Sequence, residues 1–226
     1  MTASDSLRFA AFDLDGTLID SAATIVDGVL ACWAACGFAE PDPEAVRRVI
    51  GLPWEESIRE LIPGSGPTEL AAIRNYHDEV RRGVRPRPSA TIAPFPGAHE
   101  VLDHLDAEGY LLGIVTSRSS HRLHELLDDQ GLAERFQTFK TADMGPGKPN
   151  PHLLLEAMAD LGVDADRTVM IGDTTFDVLM ATSAGTAAVG VSWGVHESHE
   201  IDAAGAHCVI EAFHELPPVL GTLVSG

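Results

Sequence analysis

The sequence predicts an α/β protein with a doubly wound parallel-sheet core of the Rossmann-like type and an inserted all-helical domain. Two observations predict this class. Strand-sized apolar segments alternate with helical segments along residues 94–226, as the repeated strand–helix units of a parallel sheet require. Residues 21–93 interrupt this alternation after the first strand and show helical spacing only. We therefore assign residues 1–20 and 94–226 to the core and residues 21–93 to a helical cap.

The helical stretch divides at clear breakers. Apolar residues recur at helical spacing from residue 25 to residue 33, and the Pro-Asp-Pro-Glu sequence at 41–44 is typical of a helix start. The Gly-Leu-Pro sequence at 51–53 ends that helix, and the Pro- and Gly-rich loop at 63–67 separates the next two. Prolines between residues 86 and 96 mark the return of the chain. Two linkers, at residues 20–23 and 88–96, are predicted to join the cap to the core.

The core elements follow from continuous apolar runs, which are typical of strands buried on both faces, and from helical periodicity between them. Ligands of such sheets bind beyond the carboxyl ends of the strands. The predicted strands are residues 7–12, Tyr110–Thr116, Phe136–Thr141, Thr168–Ile171, Ala187–Val191 and Cys208–Ile210, and the predicted helices are Val101–Ala107, His121–Asp129, His152–Leu161 and Phe176–Ser183.

Composition and charge exclude several classes of function. The 226-residue chain has a formal net charge of −19, with 34 acidic and 15 basic residues, so its surface would repel nucleic acid. Its apolar segments are strand-sized, its N-terminus lacks an apolar signal core, and no membrane span is predicted. Three cysteines with no Cys-x-x-Cys spacing fit a reducing compartment. We expect a cytoplasmic protein that acts as a monomer or homodimer.

Acidic residues and one lysine follow the predicted strands. Asp13 and Asp15 lie two residues apart at the end of the first strand and project to the same side, which is costly unless a cation or a proton is shared between them. Asp173 follows the fourth core strand, with Asp177 one helical turn later. Lys148, one of only two lysines, lies in a Gly-Lys-Pro sequence that is unlike an ordinary helical surface.

The segment from Asp13 to Ser21, Asp-x-Asp-Gly-Thr-Leu-x-Asp-Ser, resembles the first motif of the haloacid-dehalogenase-type (HAD) phosphohydrolases. The Thr-Ser-Arg sequence from Thr116, the Gly-Lys-Pro sequence around Lys148 and the Gly-Asp sequence at Asp173 resemble the later motifs, in the same order. The helical stretch begins just after the first motif. The resemblance is therefore to the phosphoglycolate-phosphatase-like branch, which carries a cap at that point.

This resemblance implies a role for each motif residue. Asp13 would be the nucleophile that takes the phosphoryl group, and Asp15 the general acid and base. Asp13, the backbone carbonyl of Asp15 and Asp173 would bind Mg²⁺, and Asp177 would support the lysine or the waters of the metal. Lys148 would neutralise Asp13 and the phosphoryl oxygens.

The strand end at Thr116 would supply the phosphate contacts. The Thr116 hydroxyl and the next backbone N–H would hold a phosphate oxygen. Ser117 stands where many relatives have Asn, so it acts either through its side chain or only through its backbone. Arg118 either reaches the phosphate or lies in solvent. We expect the substrate to be a small phosphorylated metabolite.

The cap residues leave the substrate open. Trp54 and Arg74 are the residues that we expect to select it, although core packing and solvent exposure are alternatives on the helix of Arg74. A Mg²⁺-dependent phosphatase is the main hypothesis. A beta-phosphoglucomutase-like phosphotransferase is the runner-up, although Trp54 appears where such mutases generally carry an Arg. A non-catalytic phosphate-binding regulatory module is the alternative of a different class. It is disfavoured because all four catalytic motif residues are present, namely Asp13, Asp15, Lys148 and Asp173.

Overall fold

A six-stranded parallel sheet forms the centre of the protein. The computed structural model describes residues 7–85 and 92–224. The strands of this sheet are β1 (Arg8–Phe12), β4 (Tyr110–Val115), β5 (Thr138–Lys140), β6 (Thr168–Gly172), β7 (Ala187–Val191) and β8 (Cys208–Ile210). Their order across the sheet is β5-β4-β1-β6-β7-β8, with every neighbouring pair parallel. The predicted α/β class is therefore confirmed.

Helices cover both faces of this sheet. Successive side chains of β1 enter opposite cores, with Ala10 and Phe12 on one face and Phe9 and Ala11 on the other, all fully buried. This is why the four residues of β1 that follow Arg8 are all apolar, rather than apolar at alternate positions. The first core includes α5 (Ala98–Ala107), α6 (Ser120–Asp129) and α10 (Leu216–Leu223), and the second includes α7 (His152–Leu161), α8 (Thr175–Ala184) and α9 (Ser198–Ala203).

Four helices follow the first strand, as the sequence predicts. They bury a separate apolar cluster around Trp33, Ile58 and Ile73. Gly37 ends the first helix with a left-handed φ of 74°, and Asp42 caps the second by accepting a hydrogen bond from the backbone N–H of Glu44 at 3.0 Å. The helices are α1 (Ala22–Cys36), α2 (Pro43–Arg48), α3 (Trp54–Leu61) and α4 (Pro67–Arg81). We call residues 22–81 the helical insert.

A short antiparallel ribbon joins the insert to the core. It pairs β2 (Ile19–Asp20) with β3 (Ala93–Pro94), at the two points where the chain enters and leaves the insert. This ribbon, α9 and α10 were not predicted from the sequence, because short elements lack a clear period. The predicted linker at 88–96 falls partly outside the described residues, since residues 86–91 are not among them. Within the described residues, no helix has the length and apolar character needed to cross a bilayer.

Candidate active site

Three adjacent strands bring the motif residues to one edge of the sheet. Asp13 follows β1, Thr116 follows β4 and Asp173 follows β6, and β1 lies between the other two strands. Because the strands are parallel, their carboxyl ends meet at the same edge. The predicted convergence of residues that are up to 160 positions apart therefore occurs.

Lys148 is the central cation of this edge. Its Nζ lies 2.7 Å from Asp13 Oδ1 and 2.6 Å from Asp177 Oδ1, and all three side chains are buried. Burial alone would lower the pKa of Lys148, but attraction to Asp13 and Asp177 outweighs it and raises that pKa above its ordinary value. The lysine is therefore held charged between two carboxylates.

Asp173 is fixed by two donors in a tightly enclosed position. Its Oδ1 accepts a hydrogen bond from Thr17 Oγ1 at 2.7 Å, and its Oδ2 accepts one from the backbone N–H of Val195 at 2.9 Å. A Cβ on Gly16 would lie 2.2 Å from Asp173 Oδ2, and a Cβ on Gly194 would lie 2.1 Å from Asp173 Cβ. Both positions therefore require glycine for the carboxylate to enter the site.

The carboxylates at this edge have the composition of a metal site. Ligand atoms of Asp13, Asp173 and Asp177 all lie within 4.8 Å of one another. Asp13 Oδ2 is buried and has no hydrogen-bond partner among the described residues. If all three carboxylates are ionised, Lys148 leaves two negative charges unbalanced, and a divalent cation would neutralise both. The residues present therefore fit a hard divalent ion.

Asp177 differs from the other two carboxylates. Its Oδ2 accepts hydrogen bonds from the backbone N–H of Thr174 at 3.1 Å and from Thr174 Oγ1 at 2.7 Å, which forms a capping box at the start of α8. Its Oδ1 is occupied by Lys148. Both oxygens of Asp177 are thus engaged, which fits a supporting role better than direct metal ligation.

The carboxylate of Asp15 is not part of this cluster. Its carboxylate accepts hydrogen bonds from Nε of Arg118 at 3.1 Å and from Nη2 of the same residue, and from Ser21 Oγ at 2.5 Å. Burial would raise the pKa of Asp15, but the guanidinium of Arg118 outweighs it and lowers that pKa below its ordinary value. The Arg118 side chain is 14% exposed, so the alternative of a solvated arginine is wrong.

Two hydroxyl groups follow β4, and they bind different parts of the protein. Thr116 is buried, and its Oγ1 accepts a hydrogen bond from the backbone N–H of Arg118 at 3.2 Å. Ser117 Oγ instead donates to the backbone carbonyl of Gly51 in the helical insert, at 2.5 Å. A phosphate contact through the Ser117 backbone stays a prediction, because its hydroxyl is already engaged.

The loop of the insert at residues 48–53 touches the loops that carry the motif residues. Gly147, next to Lys148, faces Pro53, since a Cβ there would lie 2.9 Å from Pro53 Cγ. On the opposite side, Nδ1 of His196 accepts a hydrogen bond from the backbone N–H of Thr175 at 3.1 Å, and its Nε2 donates to the carbonyl of Arg48 at 3.2 Å. The insert therefore lies directly against the edge of the sheet that carries the site.

Comparison with known proteins decides the family. The sequence profile of the haloacid dehalogenase-like hydrolases matches residues 10–191, which include every motif residue described above. The chain belongs to this family. The recognition of a HAD hydrolase from the motifs is therefore confirmed, as is the prediction that the protein is an enzyme.

Individual relatives of this HAD hydrolase cover nearly its whole length. It is 38% identical over 208 residues to "Probable phosphatase IndB" of Dickeya dadantii, covering 91% of this chain and 90% of the relative. It is 33% identical to "Phosphoglycolate phosphatase" of Caulobacter vibrioides, covering 95% and 91%. Among solved structures, a hydrolase from Pseudomonas syringae aligns with a TM-score of 0.82 at 26% identity, covering 96% of this chain and 100% of that one.

The two predicted selectivity residues of the HAD hydrolase lie together. The guanidinium of Arg74 stands 4.9 Å from the centre of the Trp54 ring, and Arg74 also forms an ion pair with Glu55. Trp54 is 38% exposed and the Arg74 side chain is 59% exposed. The described contacts of this pair do not include a motif carboxylate, so its role in substrate selection stays a prediction.

Sequence reasoning missed several groups that build the site. Thr17 and the backbone of Val195 bind Asp173, Ser21 binds Asp15, and His196 joins α8 to the insert. Thr17 and Ser21 lie inside the first motif, so their positions were a usable signal. Val195 and His196 follow β7 and carry no local signature of this role.

We expect the stability of the metal-free protein to fall as pH rises. Burial, followed by repulsion from Asp177, raises the pKa of Asp173 from 3.8 to about 7. The folded protein therefore holds a proton that the unfolded chain releases between these values, and the free energy of unfolding should fall by about 1.4 kcal/mol per pH unit for that proton. Urea unfolding in chelator from pH 5 to pH 8 measures this slope.

The variant Asp173→Asn should lose that part of the slope, while Asp128→Asn, an exposed substitution of the same kind, should keep it. Because the proton competes with a cation for Asp173, added divalent metal should stabilise the protein more at pH 8 than at pH 6. An equal slope in the Asp173→Asn variant contradicts the raised pKa.

Proposed function

We propose that this HAD hydrolase is a Mg²⁺-dependent phosphatase that cleaves a small phosphate monoester through an aspartyl-phosphate on Asp13. The observation that carries the proposal is the state of Asp13. Its carboxylate is buried, one oxygen contacts Lys148, and the other has no hydrogen-bond partner among the described residues. The family membership and the names of the two relatives support a phosphatase.

Asp13, Asp173 and the backbone carbonyl of Asp15 are the groups that would hold Mg²⁺. The bound ion would neutralise charge on the phosphoryl oxygens. Lys148 supplies a fixed positive charge in contact with Asp13. Burial, followed by the nearby carboxylates, raises the pKa of Asp13 well above its ordinary value in the metal-free protein. A second cation beside Asp13 would lower that pKa and so favour the ionised form of the nucleophile.

Two displacements then complete the reaction. In the first, a carboxylate oxygen of Asp13 bonds to phosphorus and the bond from phosphorus to the leaving oxygen breaks. Asp15, which takes up a proton from solvent when the substrate binds, donates that proton to the leaving oxygen. In the second, Asp15 takes a proton from water, whose oxygen bonds to the same phosphorus. The bond between phosphorus and Asp13 breaks, and inorganic phosphate leaves with Asp13 again a carboxylate.

We expect phosphate release from p-nitrophenyl phosphate to require Mg²⁺. Chelation with EDTA should abolish turnover, and added Mg²⁺ should restore it. The reason is that Lys148 neutralises only one of the three buried carboxylates. The measurement is the rate of phosphate release after metal removal and after back-titration. Full turnover by verified metal-free protein contradicts the proposal.

Assays with hexose phosphates and measurements of binding separate the alternatives. Interconversion of hexose phosphates without release of inorganic phosphate would favour the phosphotransferase, and phosphate binding without turnover would favour the regulatory module. Isothermal titration with Mg²⁺ and inorganic phosphate distinguishes loss of binding from loss of chemistry.

We further propose that residues 21–93 form a cap on a core of residues 1–20 and 94–226. The contacts of the 48–53 loop with Ser117, Gly147 and His196 support this division, since they place the insert against the site. Closure of such a domain would exclude water while Asp13 attacks phosphorus.

If the cap selects the substrate, Trp54→Ala and Arg74→Ala should change the ratio of kcat/KM between large and small substrates by about 10-fold or more. Acetyl phosphate, which has little to contact, should be hydrolysed at a rate close to that of the unchanged protein. The matched control is Arg81→Ala, at the far end of α4 and paired with Asp78. Unchanged substrate ratios in both variants contradict the assignment of these two residues.

A further inference from the structure

Arg118 forms an unusual contact for a residue beside a general acid. Its guanidinium binds the Asp15 carboxylate through two of its nitrogen atoms, and both side chains are 14% exposed. Two parallel hydrogen bonds between Arg and a carboxylate are the arrangement by which arginine recognises planar anions. In this structure, the carboxylate of Asp15 occupies the position on Arg118 at which such an anion would bind.

The position of Asp15 places Arg118 beside the leaving group. If Asp15 protonates the leaving oxygen, as proposed above, its carboxylate must approach that oxygen to hydrogen-bonding distance. A guanidinium in contact with the same carboxylate then lies next to the substituents of the leaving group. Lys148 instead contacts Asp13 and Asp177.

Arg118 is also a largely enclosed cation, with a side chain 14% exposed, that can exchange its carboxylate partner for an anionic group of a substrate. Lys148 is fully buried between two carboxylates, both of which belong to the reaction site. Arg48 and Arg74 are ion-paired with Glu200 and Glu55 at the surface, with side chains 44% and 59% exposed. An anion that enters among the buried aspartates needs a desolvated cation of its own, and the net charge of −19 makes this need stronger.

We propose that Arg118 recognises an anionic group on the leaving-group side of the substrate by exchanging the Asp15 carboxylate for it. The ligand is a carboxylate or a second phosphate, located within one or two carbons of the oxygen that leaves. The exchange frees Asp15 to reach that oxygen, so recognition and release of the acid occur together. This inference rests on the proposed phosphatase function and names its substrate class.

The test compares two substrates that differ in one charged group. 2-Phosphoglycolate carries a carboxylate next to the leaving oxygen, and 2-hydroxyethyl phosphate has the same length with a hydroxyl in its place. We expect the protein to prefer the anionic substrate in kcat/KM by about 10- to 100-fold, the range of a charge-assisted pair. Arg118→Gln should reduce this preference to about 1 while reducing turnover of the neutral substrate much less, and Arg118→Lys should retain part of it.

Arg122→Gln, an exposed substitution one turn along α6, is the matched control and should leave the ratio unchanged. Equal losses for both substrates in Arg118→Gln would mean that Arg118 binds the transferring phosphoryl group or only supports Asp15, and either result overturns the inference. Urea unfolding checks that each variant is folded. Failure of the proposed function is distinguishable, because the unchanged protein would then hydrolyse neither substrate with Mg²⁺.

Discussion

Replacement of Asp13 by asparagine is expected to reduce phosphatase turnover by at least about 10³-fold, because an amide cannot form the acyl phosphate. The same change should raise the stability of the metal-free protein. It removes one of three carboxylates whose ligand atoms lie within 4.8 Å, while Lys148 keeps its contact with Asp177. Loss of activity together with a gain of stability is expected where like charges that catalysis requires destabilise the folded protein.

Phosphate release and urea unfolding of the same preparation measure the two effects. Asp128→Asn, at an exposed position on α6, controls for the change in net charge and should alter neither. A variant that keeps more than about a tenth of the rate would exclude Asp13 as the obligatory nucleophile. A stability that falls in chelator would contradict the repulsion but not the chemistry.

Replacement of Lys148 by methionine is expected to destabilise the metal-free protein by about 3–5 kcal/mol, since it leaves two buried carboxylates without their cation. Methionine keeps much of the side-chain volume, so the loss reflects charge rather than a cavity. The double variant Lys148→Met with Asp177→Asn should recover a large part of the stability, because one of the two unpaired charges is gone. Both the single and the double variant should lack phosphatase turnover.

The chain offers a close control for this experiment, since Lys140 is its other lysine. Lys140 pairs with Asp160 at 2.7 Å, but the Asp160 side chain is 51% exposed, so water can replace the contact. Lys140→Met should therefore cost about 0–1 kcal/mol. Equal destabilisation by the two lysine substitutions would contradict the buried ion-pair network, and no loss of stability in Lys148→Met would do the same.

The class of the fold and the residues at the strand ends could be predicted from the amino-acid sequence. Apolar runs identify strands buried on both faces, and parallel strands carry their following loops to one edge, so Asp13, Thr116 and Asp173 had to converge. The spacing of motifs also identified Lys148, because a lysine between Gly and Pro is rare on an ordinary surface.

The partner of each of these groups could not be predicted and is known from the folded structure. The ion pairs of Lys148, the binding of Asp15 by Arg118 and the seating of Asp173 between Gly16 and Gly194 join segments far apart in the chain. Local periodicity carries no information about such contacts. Hydrogen bonds and ion pairs depend on atoms lying within about 3 Å of each other, which the packing of helices against the sheet sets.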